Sequence, residues 1–101
     1  MASSQVFYMD AHSESTETSL VSKMLTVFDA AGLDKIISPD DVVAIKVHCG
    51  EWNNTAYLRP VYARALADRI KELGGRPFVC DTTTQTYNPW ASRVTELDIL
   101  Q

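Results

Sequence analysis

Lys46 and His48 stand two residues apart inside a β-branched, nearly continuous apolar run from Val42 to Cys49. In an extended strand that spacing puts both side chains on one face, while Val43, Ile45, Val47 and Cys49 share the other. A lysine within a buried strand is costly unless it pairs with an acid or reaches solvent. Lys46 therefore has two readings: a residue satisfied by snorkelling or by an acid such as Asp10 or Asp81, or an anion anchor in a crevice. His48 carries the side chain that most readily changes charge near neutral pH, so it suits the roles of acid, base or metal ligand. As a hydrogen-bonded structural histidine it needs none of them.

Further polar residues gather where strands are expected to end. Asp10 and His12 follow the apolar run Val6 to Met9, and Gly50 to Thr55, reading G-E-W-N-N-T, follows His48 and Cys49. There Gly50 allows a turn, and Asn53 and Asn54 tolerate left-handed backbone angles. Thr55 can donate a hydrogen bond to a ligand, and ordinary turn chemistry uses the same residues. Trp52 is read as packing on a further region in preference to stacking on a ligand. Asp81 to Thr84, reading D-T-T-T, offers a carboxylate, three hydroxyls and a run of backbone N–H groups. Such a segment serves a metal or phosphate site, or a plain strand-to-helix connection. His12, His48, Asp10 and Asp81 are chemically suited to zinc, iron or nickel, although their spacing carries no ligand signature. GxSxG, GxGxxG and GxxxxGK[ST] are all absent, which removes the usual support for serine-hydrolase, dinucleotide and P-loop readings.

The elements that must position these groups follow from hydrophobic period and turn chemistry. Val6 to Met9 reads as a first strand. Leu20, Val21, Met24, Leu25, Val27, Phe28 and Ala31 recur as one broad helical face. Gly32 is placed for a left-handed cap, with Leu33 folding back beyond it. Ser38, Pro39, Asp40 and Asp41 form a turn, and Val42 to Cys49 is a strand buried on both faces, as in a parallel sheet. Pro60 opens a second helix carrying Tyr62, Ala65, Leu66, Ile70 and Leu73, which Gly74 and Gly75 stop. Pro77 to Cys80 is a third strand, and Asn88 caps a helix begun by Pro89, with Trp90, Val94 and Leu97 on one face. The order is a three-layer βαβαβα unit: an α/β fold with a small, mostly parallel sheet of three or more strands and helices on its faces. Ligands of such sheets bind outside the carboxyl ends of the strands, where the polar residues cluster.

Composition narrows the function classes. The 101 residues suit a single domain, and an apolar share of 46% with a charged share of 22% is that of an ordinary globular chain. Nine basic against thirteen acidic residues give a net charge of -4, with no basic stripe for nucleic acid or an anionic membrane. No apolar stretch approaches the roughly 18 residues of a membrane span, and the N-terminus lacks the order of a secretory signal, so a cytoplasmic setting is expected. Cys49 and Cys80 each close a strand pattern and serve there as small hydrophobes. Their spacing is no CxxC, and a disulfide between them requires neighbouring strands.

Val43-Ala44-Ile45-Lys46, Gly50-Glu51, Asn54-Thr55, Tyr57-Leu58-Arg59-Pro60, Gly74-Gly75, Pro77-Phe78 and Asp81-Thr82 together resemble the N-terminal part of the family labelled domain of unknown function 362. Its members are often described as uncharacterised iron-sulfur centre proteins. The resemblance runs from about residue 6 to about residue 93 and is weakest after Trp90. It implies a longer protein with an iron-sulfur segment beyond the residues seen here, and no cofactor in this chain, whose two cysteines cannot supply a CxxCxxCxxxC run.

The reading that results is a single α/β domain over residues 1–101, the N-terminal part of a longer protein. It contributes one wall of a ligand or redox site and is inactive alone. Its candidate binding residues are Lys46, His48, Glu51, Asn54, Thr55, Asp81 and Thr82, with Lys46 as anion anchor and His48 as proton carrier or ligand. Expected partners are a small anionic molecule, the remainder of the longer chain, or a second copy in a homodimer. Two alternatives stand beside it: a small metal-dependent or redox enzyme complete as a dimer, and a structural or interaction module that works through its exposed sheet edge.

Overall fold

A computed structural model describes residues 3–48 and 55–82. Its elements in order are helix α1 (Leu20–Ala30), a 3-10 turn (Leu33–Ile36), strand β1 (Val42–Lys46), helix α2 (Pro60–Glu72) and strand β2 (Arg76–Cys80). The architecture is α/β, with β1 and β2 paired in parallel from Val42 opposite Arg76 to Lys46 opposite Cys80. Helix α2 is the crossover that parallel pairing requires.

Local chemistry explains where each element starts and stops. Ser19 caps α1, its Oγ accepting from the Ser22 N–H at 3.2 Å, which satisfies one of the donors a helix start leaves unpaired. Val21, Met24, Leu25 and Phe28 are half-buried along the inner stripe of the helix. Gly32 has a φ of 76° and turns the chain out of α1, as expected. Leu33 beyond it enters the 3-10 turn and stays 42% exposed.

Helix α2 begins at Pro60, whose missing N–H costs nothing at that position. It carries Arg69 and Lys71 in its last turn, where cations complement the helix dipole. Its inner face ends at Ile70, the most deeply buried side chain described. A Cβ on Gly75 would lie 2.8 Å from Ile70 Cγ2, so the return into β2 needs glycine for close approach. Asp29 on α1 ties the two helices together by accepting from Arg69 Nη2 at 3.0 Å.

The Ser38–Asp41 turn sets the register of the sheet. Ser38 N–H donates to Asp41 Oδ2 at 2.8 Å, and Asp40 N–H donates to the Gly74 carbonyl at 2.9 Å. Arg76 N–H donates to the Asp41 carbonyl at 2.7 Å. The turns entering β1 and β2 are thus bonded to each other before the ladder begins.

Three expectations need correction. Val6 to Met9 forms no strand, because no strand among the described residues pairs with it, and Val6 and Tyr8 are almost wholly exposed. The sheet has two described strands, not three or more. Strand β1 ends at Lys46, short of Cys49, and is buried on one face. Ile45 is enclosed beneath the helices, whereas Val42 and Phe78, on the opposite face, remain exposed. The apolar run was continuous, but α1 and α2 cover the Val43 and Ile45 side alone. The helix expected from Pro89 lies outside the described residues.

Candidate functional site

The backbone ladder brings the chemistry together. Val47 N–H donates to the Cys80 carbonyl at 3.1 Å, extending the parallel pairing one residue beyond β1. That bond fixes the chain just before His48 on one side and just before Asp81 on the other. Lys46 and His48 project toward one face, as their spacing requires, and both meet Asp81. Lys46 Nζ lies 2.8 Å from Asp81 Oδ1, and His48 Nδ1 lies 3.8 Å from Asp81 Oδ2. The Thr82 N–H also donates to Oδ1, at 2.8 Å.

Burial is distributed unequally across this cluster. The Asp81 side chain is 5% exposed, against 58% for Lys46 and 48% for His48. A carboxylate withdrawn from water loses several kcal/mol of hydration and must recover it from charge and hydrogen bonds. The Lys46 ammonium and the Thr82 N–H supply that compensation through short, charge-assisted contacts. Asp81 in turn orients the ammonium and the imidazole while leaving much of both at the surface.

Of the expected binding residues, Lys46, His48, Asp81 and Thr82 converge. Thr55 is exposed and makes no bond to the cluster among the described residues. Glu51 and Asn54 lie outside the described residues, as do Thr83 and Thr84. Asp10 and His12 belong to a separate cluster. Lys23 on α1 donates to the Asp10 carboxylate and to the carbonyls of Asp10 and His12. The Lys23 hydrogen bond, the His12 N–H and the Lys23 charge hold the Asp10 carboxyl below the ordinary carboxylate range. Asp10 is therefore not the acid that satisfies Lys46. Among the described residues no three His, Cys, Asp or Glu side chains are grouped to hold a metal, and Cys80 is a free thiol.

A cavity of about 450 Å³ opens beside His48 and was not anticipated from the sequence. Its walls are Val47 and Val79 at the strand ends, with Leu58, Ala63 and Ala67; Arg59 and Arg64 also line it. The sequence signal was the pair Ala63 and Ala67, four residues apart and so on one face of α2. Small residues leave room that an apolar periodicity alone does not reveal.

Residues 43–99 match the family model described as Domain of unknown function (DUF362). The chain belongs to this family. The DUF362 match begins within β1 and includes Lys46, His48, Asp81 and Thr82, while Asp10, His12 and α1 precede it. No curated protein and no solved structure matches the chain. The sequence has two cysteines, against the roughly four thiolates that hold an iron-sulfur cluster. No described helix is long and apolar enough to cross a membrane.

Proposed function

We propose that this DUF362 domain supplies one wall of a binding site for a small anionic molecule, at the carboxyl ends of β1 and β2. The observation that carries this reading is the convergence of Lys46 and His48 on the buried Asp81, with both side chains still reaching solvent. Asp81 neutralises one positive charge, so the cluster gains a net positive charge when His48 is protonated. An anion then bridges the ammonium and the imidazolium, and the Asp81 carboxylate fixes their separation. Open α/β sheets place ligands at these strand ends. One wall is not a complete site, and the remainder of a longer chain or a second copy provides the opposite side. The domain alone catalyses nothing.

Amide chemical shifts recorded during titration with inorganic phosphate, and separately with zinc, test the assignment. Phosphate is expected to move the amides of Val47, His48, Asp81 and Thr82 together. Shifts that spread diffusely or avoid these residues refute the site. A stoichiometric zinc complex lost in His48→Ala would replace it with a metal-dependent enzyme.

A further inference from the structure

We propose that the cavity beside His48 binds an amphipathic organic anion, an acyl or aromatic body carrying a single carboxylate or sulfonate head. This inference stands on the cavity and its arginines, and the Lys46–Asp81 pair takes no part in it. Val47 and Val79 have the same strand parity as Ile45, so the cavity lies on the sheet face that α2 covers, whereas Lys46 is on the opposite one. His48 borders both.

The volume of about 450 Å³ falls within the roughly 300–1,000 Å³ typical of small-molecule sites, which are mostly apolar with a few placed polar groups. Ala63 and Ala67 keep that volume open, since any longer side chain on the same stripe of α2 would enter it. The charged groups around the apolar walls are Arg59, Arg64 and the ionisable His48, with no carboxylate among the lining residues. Arg64 is partly committed, its Nε donating to Asp68 Oδ2 at 2.7 Å. The Arg59 guanidinium has no hydrogen-bond or ion-pair partner among the described residues. Guanidinium groups bind planar anionic heads through paired donors.

These features select the ligand by elimination. A neutral apolar molecule would fill the walls and leave the Arg59 guanidinium without a counter-charge. Inorganic phosphate would meet the rim and leave the apolar walls wet. An anion with an apolar body satisfies both regions at once.

Octanoate, with 1-octanol as its uncharged counterpart, tests the inference on the protein with labelled methyl groups. Octanoate is expected to shift the methyl resonances of Val47, Leu58, Ala63, Ala67 and Val79, and octanol to bind about tenfold or more weakly, as the loss of a charge-assisted contact implies. Arg59→Gln should weaken octanoate by a similar factor and leave octanol unchanged. Ala67→Leu should abolish binding of both while the Ile45 and Ile70 methyl resonances keep their positions. Lys46→Gln, which removes the ammonium of the strand-end cluster, should leave octanoate affinity unaltered. Equal affinity for octanoate and octanol, shifts away from the cavity, or an Arg59→Gln protein that binds as wild type overturns the inference. So does a Lys46→Gln protein that loses octanoate, because the two regions would then be one site. Failure of octanoate with phosphate still moving His48 and Asp81 would remove the cavity ligand and leave the strand-end reading intact.

Discussion

Two lysine–aspartate pairs in this domain have opposite burial. At the strand ends the acid is buried and the base reaches solvent: Asp81 is 5% exposed and Lys46 58%. Beside α1 the base is enclosed and the acid is outside, with Lys23 13% and Asp10 66% exposed. The difference decides what each pair can do. Lys23 is consumed by the Asp10 carboxylate and by two backbone carbonyls, so it staples residues 10–12 to the helix. Lys46 is held by an anion that solvent scarcely reaches, and its side chain stays more than half exposed beside His48. The first arrangement fixes a segment; the second, on the proposed reading, offers a cation to an anionic ligand.

The largest expected effect comes from taking the base away from the buried acid. Lys46→Met leaves Asp81 enclosed without its ammonium and should destabilise the domain by about 2 kcal/mol, below the usual cost of breaking a fully buried pair because Lys46 is partly solvated. Replacing both, as Lys46→Met with Asp81→Leu, should recover most of that loss. Urea melts of the two variants measure it, and a double variant no better than the single one would break the distinction between the pairs.

Smaller changes are expected at α1. Lys23→Met should cost about 1 kcal/mol in the same melts and should release residues 10–12 locally, read as faster amide exchange there with the β1 and β2 amides unchanged. The pH response of Asp10 sharpens the point. Its carboxyl lies below the ordinary carboxylate range, so the stability it contributes is present above that range and is lost as pH falls through the lowered value. A carboxyl-carbon titration of Asp10 should show its midpoint below that of an unpaired aspartate, and Lys23→Met should move the midpoint up. A midpoint already at the ordinary value would mean that the staple is absent in solution.

Much of this arrangement is legible in the sequence because it is local. Pro60, the Tyr62 to Leu73 periodicity and Gly74-Gly75 define α2 without reference to the rest of the molecule. The two-residue spacing of Lys46 and His48, with Asp81 closing the neighbouring strand, suffices to put all three at one end of a parallel pair. What escapes the sequence depends on partners. Val6 to Met9 has strand composition, but a strand exists only when another pairs with it. Val42 to Cys49 reads as doubly buried because its apolar run is continuous, yet burial is set by which face the helices cover. Asp10 and His12 sit at a plausible strand end, and nothing local shows that Lys23, more than ten positions downstream, captures them. The cavity escaped for the converse reason: space between Ala63, Ala67 and the strand ends is defined by what those residues lack.

The most direct test is the affinity for inorganic phosphate of the wild-type protein, Lys46→Gln, His48→Gln and Arg59→Gln, measured by calorimetry. The anion-binding account predicts that Lys46→Gln and His48→Gln each weaken binding about tenfold, as loss of a charge-assisted contact implies, while Arg59→Gln binds as the wild type does. Equal affinity in all four proteins, or a loss confined to Arg59→Gln, would contradict it.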